Sequence, residues 1–174
     1  MQNNSEFHLS PENIKIRYIQ KKDNAVLAGI IRSTLKEFGA DHPGTVYYDE
    51  STDHLFEIFN SEPLSQYFVA EYQGQLMGGG GIYPTEGLPD DTCELVKMYL
   101  LPQARGLGLG SRLIQTCIDT AKEKGFSNIY LESMPELEKA LKTYEKFGFE
   151  YLNGPMGNSG HFGCEKWMLK YIGQ

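Results

Sequence analysis

Apolar side chains recur at every second position of IKIRYIQ (14–20), which predicts a strand with Ile14, Ile16 and Tyr18 on one face. The spacing then lengthens. Val26, Leu27, Ile30, Ile31, Leu35 and Phe38 fall three or four apart and predict a helix, with Asp23 placed to cap it and Gly39 to end it. DESTDHLFEIFN (49–60) predicts a shorter helix opened by Ser51 or Thr52, and SQYFVAEYQGQLMGGGGIYP (65–84) a hairpin turning near Gln73 and Gly74. TCELVKMYLLP (92–102) predicts a strand stopped by Pro102. A helix over 109–124 carries Leu113, Ile114, Cys117, Ile118 and Ala121 on one face, and NIYLES (128–133) returns to a strand. PELEKALKTYEKFG (135–148) predicts a helix with Pro135 in its first turn and Gly148 as its stop, before two last strands in FEYLN (149–153) and CEKWMLKYI (164–172).

That order is one strand, two helices, three strands, then helix, strand, helix and two strands. It defines a mixed α/β fold, with a central sheet of six to seven strands flanked by helices, antiparallel early and containing a crossover helix later. The length, 174 residues, fits one domain. Residues 1–13, rich in Asn, Ser and Glu, are expected to form a loose arm, leaving 14–174 as the domain.

Charge and cysteine usage narrow the function classes. A net charge of −7 and a pI near 5.1 count against nucleic-acid binding. They suit cationic small molecules, though acidic balance also serves solubility alone. No run approaches the eighteen or so apolar residues of a membrane span, and the start has neither the basic end nor the apolar run of a secretion signal. Cys93, Cys117 and Cys164 are too widely spaced for a disulfide framework or a metal knuckle, so a reducing cytoplasm is the expected compartment.

The chemistry is concentrated around LPQARGLGLGSRLI (101–114), where Gly106, Gly108 and Gly110 alternate between Arg105 and a helix start. No lysine follows Gly110, which excludes a Walker phosphate loop, and the glycine spacing does not complete a dinucleotide fingerprint. Two readings remain: a bare turn, or an anion site at a helix N-terminus. There, free backbone N–H groups and a partial positive charge would meet a diphosphate, with Arg105 and Arg112 adding fixed charge. Glycine costs about 0.5–1 kcal/mol in ordered structure relative to alanine, so three at alternate positions favour the anion site.

Arg105-Gly106-Leu107-Gly108-Leu109-Gly110, after a strand ending in Leu-Pro, resembles the [RQ]xxGx[GA] motif of the GNAT superfamily of acyl-CoA-dependent N-acyltransferases. ALKTYEKFGFE (140–150) resembles that family's second hallmark, and the element order is similar over residues 14–172. The resemblance implies the GNAT fold and acetyl-CoA as cosubstrate, with no metal. It implies cofactor contacts at Met98, Leu100, Arg105, Gly106, Leu107, Gly108, Leu109, Gly110 and Ser111, the loop amides holding the pyrophosphate and the Leu100 amide meeting the thioester carbonyl. Relatives carry an asparagine where this chain has Leu137, and Ser133 is the candidate replacement for that pantetheine contact. The implied partner is a small-molecule amine, with no nucleic acid and no membrane; a homodimer is common for the fold. A non-catalytic acyl-CoA-binding or sensing module is the alternative.

Acyl transfer to an amine needs a base, a donor for the developing oxyanion and a proton for the leaving thiolate. Glu94 is the candidate base: strict alternation puts it on one face with Val96, Met98 and Leu100, and an apolar face raises a carboxyl's pKa. Its ordinary alternative is a solvated acid at a strand edge. Glu132 is the second candidate, as a base acting through water or as a partner for the substrate ammonium. Tyr144 sits on the stripe Leu137, Ala140, Leu141, Tyr144, Phe147; it is a core tyrosine by pattern, and by resemblance the proton donor to the thiolate. His161 either lines the acceptor pocket, assists as a base, or is a plain loop residue; with Cys164 it makes at most half of a metal site. Gly78 to Gly81 mark a bulge or close backbone approach, or leave room for the acceptor. Residues 38–54, with Asp41, Asp49, Glu50 and Asp53, form the expected acceptor-side segment.

Overall fold

The structure is a computed structural model describing residues 9–173. Its strands are β1 (Lys15–Tyr18), β2 (Gln66–Tyr72), β3 (Gln75–Tyr83), β4 (Thr92–Leu100), β5 (Asn128–Ser133), β6 (Glu150–Tyr151) and β7 (Lys166–Tyr171). Its α-helices are α1 (Asn24–Glu37), α2 (Leu55–Ser61), α3 (Leu109–Glu123) and α4 (Glu138–Lys146). The strands form one seven-stranded sheet in the order β1-β2-β3-β4-β5-β7-β6, antiparallel except between β4 and β5. That parallel step is made by α3, since parallel neighbours need a crossover.

Each face of the sheet buries its own core. On one side α3 packs Leu113, Ile114, Cys117 and Ile118 against Phe68, Ala70, Leu95 and Ile129, and α4 adds Leu141 and Tyr144. On the other, Leu27, Ile30, Ile31 and Leu35 of α1 and Leu55 and Phe59 of α2 cover Tyr67 and Val69. The hairpin between β2 and β3 turns at Gln73 (φ 48°) and Gly74 (φ 80°), two left-handed residues in succession that match the twist of the strands they join.

β4 and β5 pair only at Thr92–Asn128, Cys93–Ile129 and Glu94–Tyr130. β4 then runs on to Leu100 and β5 to Ser133 without further pairing between them. The gap so opened between the two strands is the floor of the cleft described below.

Several element ends differ from the pattern. Tyr18 is exposed rather than on a buried face with Ile14. Asp23 does not cap α1: its carboxylate accepts from the Arg17 guanidinium and the Gln20 amide. Ser51 and Thr52 lie in a 3-10 turn (Glu50–Asp53), where the Thr52 hydroxyl donates to the Val46 carbonyl, so α2 starts later, at Leu55. Pro135 stands in the turn closed by the Leu137 amide on the Met134 carbonyl, before α4 begins. The expected loose arm is anchored from Leu9 onward: Leu9 is buried, and Arg112 donates to the carbonyls of Pro11 and Ile14. Residues 1–8 lie outside the described residues.

Candidate active site

The site is built on an irregularity in β4. Gly79 pairs with Tyr99 and Gly81 with Val96, so Lys97 and Met98 together oppose Gly80, and Lys97 adopts a left-handed φ of 50°. This β-bulge reverses the facing of every residue after it. Glu94 and Val96 therefore share their face with Tyr99, while Met98 and Leu100 join Leu95 against α3. The single face expected for Glu94, Val96, Met98 and Leu100 is thus divided. Lys97, which alternation would place opposite Glu94, comes round towards it; its ammonium stands 3.6 Å from the Asp49 carboxylate.

The glycines of β3 do not leave room for a ligand. A Cβ on Gly79 would stand 2.5 Å from the Phe68 carbonyl and 2.7 Å from the Tyr67 ring, and one on Gly81 would be 2.7 Å from the same ring. Above Gly80 the space belongs to the Met98 side chain. Close packing is the reason for these residues.

Gly106 (φ 75°) and Gly108 (φ 74°) are left-handed, which L side chains adopt at a cost, and nothing lies within 4 Å of where their Cβ atoms would be. The first turn of α3 follows directly, its leading amides without helical acceptors. The loop thus presents an open backbone concavity fit for a diphosphate. Its two arginines, however, are engaged elsewhere. Arg105 forms a two-bond pair with Glu37 (2.7 and 2.9 Å) and donates to the Leu100 carbonyl. Arg112 holds the N-terminal segment as described.

A cleft of about 570 Å³ runs from this loop along the gap between β4 and β5. Met98, Leu100, Arg105, Gly106, Gly108, Leu109, Gly110 and Ser111 line it, as do Ser133, Leu137 and Tyr144; Leu107 does not line it and packs on the core. Burial pushes the Tyr144 phenol well above its ordinary pKa, so it stays protonated at neutral pH. Thr34 of α1 also reaches the cleft; its buried hydroxyl lacks a hydrogen-bond partner.

At the other end, side chains from four parts of the chain converge. Glu94 is 4% exposed, and its carboxyl is raised to about 7, chiefly by burial, then by the charge of Glu132, against a 2.5 Å hydrogen bond from Thr85. Glu132 accepts hydrogen bonds from Tyr130 (2.9 Å) and Ser159. His161, in the loop before β7, places Nε2 2.6 Å from Asp49 and Nδ1 3.8 Å from Glu132. Burial pulls the imidazole's pKa down, but the Asp49 hydrogen bond and charge outweigh it and leave it raised. Burial likewise lowers Lys97, against the attraction of Asp49 and Glu94. Of the acids expected on the acceptor side, Asp49 joins this cluster, whereas Asp53 pairs with Arg32 and Glu50 is exposed.

Asp49 and Lys97 are the residues that sequence reasoning undervalued. Asp49 looked like one loop acid among four, and no local signal marks the bulge that turns Lys97 inward.

An open backbone cradle, a cleft between parting strands and a buried carboxyl with a near-neutral pKa define an acyltransferase-like site. The acetyltransferase (GNAT) family model matches residues 21–149. The chain is 39% identical over 167 residues to the uncharacterized N-acetyltransferase YjgM of Escherichia coli (strain K12), covering 95% of this chain and 99% of that one. In fold it is similar to an acetyltransferase of the GNAT family from Staphylococcus aureus Mu50 (TM-score 0.77, 18% identity, 91% and 99% of the two chains covered). It is also similar to yncA of Salmonella typhimurium, solved with its cofactor acetyl-CoA (TM-score 0.71, 19% identity, 93% and 95% covered). The chain belongs to the GNAT family and is an acetyl-CoA-dependent acyltransferase.

Proposed function

We propose that the protein transfers the acetyl group of acetyl-CoA to a primary amine of a small molecule or amino acid, by direct attack of the amine on the thioester. The observation that carries this reading is Glu94: a buried carboxyl with a pKa near 7, at the point where β4 and β5 part. Only about one in two to three thousand free alkylamines is neutral at pH 7, so a base of matched pKa is worth about 10²–10⁴ in rate.

Residues 105–111 would hold the pyrophosphate through backbone amides, and Ser133 would contact the pantetheine arm in place of the asparagine that Leu137 displaces. The bound cosubstrate supplies the activated acetyl group. Glu94 takes the proton of the attacking amine, the Leu100 amide meets the carbonyl oxygen as charge develops, and Tyr144 returns a proton to the thiolate. Glu132 and His161 line the acceptor end of the cleft, with Asp49 held behind His161. The two carboxylates, in a protein of net charge −7, suit a cationic acceptor. Three free cysteines without a disulfide partner suit a reducing cytoplasm as the setting; among the described residues no helix is long and apolar enough to cross a membrane.

The test is thiol release from acetyl-CoA against pooled amines, amino acids and a lysine peptide. Amine-dependent release, lowered about 10²–10⁴-fold in Glu94→Gln and reduced in Tyr144→Phe, is expected. Acetyl-CoA binding with silence across every pool would favour the sensing module instead, and full activity of Tyr144→Phe at saturating cofactor would remove Tyr144 as the proton donor.

A further inference from the structure

We propose that Glu94, Glu132 and His161 form a binding site for a divalent transition-metal ion of the zinc class, whose occupation shuts the acceptor end of the cleft. The second half of this statement rests on the acetyl-transfer reading; the first stands on geometry alone.

The three residues come from β4, β5 and the loop before β7, yet each offers one ligand atom and these atoms lie within 4.8 Å of one another. One imidazole and two carboxylates make a donor set that zinc accepts, with a fourth position left open to the cleft. Bonds of about 2.0–2.2 Å would draw the three atoms inward; His161 has room for this because it sits on a loop rather than in the sheet. Magnesium or calcium, which take six or more oxygen ligands, find too few here.

What distinguishes the cluster from a chance group of acids is its outer partners. Metal-binding histidines characteristically donate their second ring N–H to a carboxylate, and ligating carboxylates are themselves hydrogen-bonded. Here Asp49 receives His161 Nε2 at 2.6 Å, Thr85 donates to Glu94 at 2.5 Å, and Tyr130 and Ser159 donate to Glu132. With Nε2–H committed to Asp49, Nδ1 faces Glu132 at 3.8 Å. A lone pair facing a carboxylate favours a cation between them: a proton, the acceptor ammonium or a metal ion. Two carboxylates and a neutral imidazole sum to −2, which a divalent ion neutralises. Lys97 lines the same end of the cleft, 3.6 Å from Asp49, and its charge acts on Glu94 and His161, so it offsets part of this negative charge but, as an ammonium, offers no ligand atom. An ion so bound would engage the oxygen that Glu94 needs as a base.

The purified protein is titrated with CoCl2 while its visible spectrum is followed, then with ZnCl2 in competition. One equivalent of cobalt with tetrahedral-type absorption, displaced by zinc, is expected. His161→Ala should abolish the signal, and Asp49→Asn should weaken the affinity about 10–100-fold. Glu132→Gln serves as a second variant should circular dichroism show His161→Ala misfolded. A flat spectrum together with no saturable zinc binding by calorimetry overturns the site, as does undiminished binding in a folded His161→Ala or Glu132→Gln. Amine-dependent thiol release is measured at rising zinc, with inhibition competitive against the amine expected. Metal binding without turnover under any condition overturns the acetyl-transfer reading but leaves the site. Turnover unaffected at zinc saturation overturns the inhibitory role alone.

Discussion

The Tyr67 hydroxyl donates to the Lys97 carbonyl at 2.8 Å, reaching from β2 to β4 across the whole width of β3. The ring can lie over the intervening strand only because Gly79 and Gly81 carry no side chains. A row of glycines that would ordinarily weaken a strand thus lets a buried tyrosine brace the bulge next to the buried Glu94 carboxyl.

Alanine at Gly79 or Gly81 is therefore expected to destabilise the fold by about 1–3 kcal/mol, the usual range for overpacking. Tyr67→Phe, which keeps the ring and removes the brace, should cost about 1 kcal/mol. Denaturant unfolding measures all three. Gly74→Ala, where nothing lies within 4 Å but φ is +80°, separates backbone strain from collision.

Glu94→Gln should show opposite effects on rate and stability. Turnover at neutral pH falls about 10²–10⁴-fold. Stability moves the other way. In the folded protein burial raises Glu94 from an ordinary 4.5 to about 7, so it binds its proton more tightly when folded. The stability this confers is present below pH 4.5 and is lost as pH rises through 7. At pH 8 the variant should exceed the parent by on the order of 3 kcal/mol, and the gain should vanish near pH 4. Equal stability of the two proteins at pH 8 would contradict the raised carboxyl.

In the parent, kcat/KM should climb with pH through a step near 7, where Glu94 loses its proton. Glu132→Gln removes a like charge that raises Glu94, so the step should shift to lower pH. Loss of the step in Glu132→Gln would indicate that Glu132, not Glu94, supplies it, and a step that stays in place would contradict the Glu132 charge as a cause of the raised Glu94 carboxyl.

Thr34→Val replaces a buried hydroxyl without a partner by a methyl group. An unsatisfied buried donor costs about 1–3 kcal/mol, so the variant should be more stable by about 1 kcal/mol. The KM values for acetyl-CoA and amine show whether the stability was given up for a ligand contact in the cleft wall.

The sequence carried the local rules well and the long-range ones poorly. The hairpin at Gln73–Gly74 and the limits of α3 follow from single residues whose conformational preferences are strong. The two motifs at 105–110 and 140–150 carry the signature of the family to which the chain belongs. The bulge at Lys97 was invisible, because the residue that braces it, Tyr67, lies thirty residues earlier on another strand. One unseen residue was enough to misplace Met98 and Leu100 relative to Glu94. Nor does spacing along the chain announce that Asp49 meets His161, 112 positions away. Arg105 made the same point in reverse: beside the glycines it reads as a phosphate ligand, while in the fold it clamps the end of α1 through Glu37.

The parting of β4 and β5 after Glu94 and Tyr130 has a bearing on solubility. Unpaired strand backbone is normally a hazard at the rim of a sheet, where it recruits the strands of other molecules into aggregates. In this protein such backbone lies in the middle of the sheet, facing itself across a narrow slot. A neighbouring chain would have to thread through the body of the molecule to reach it. A slender, flexible ligand bearing amides of its own need only lie down in it.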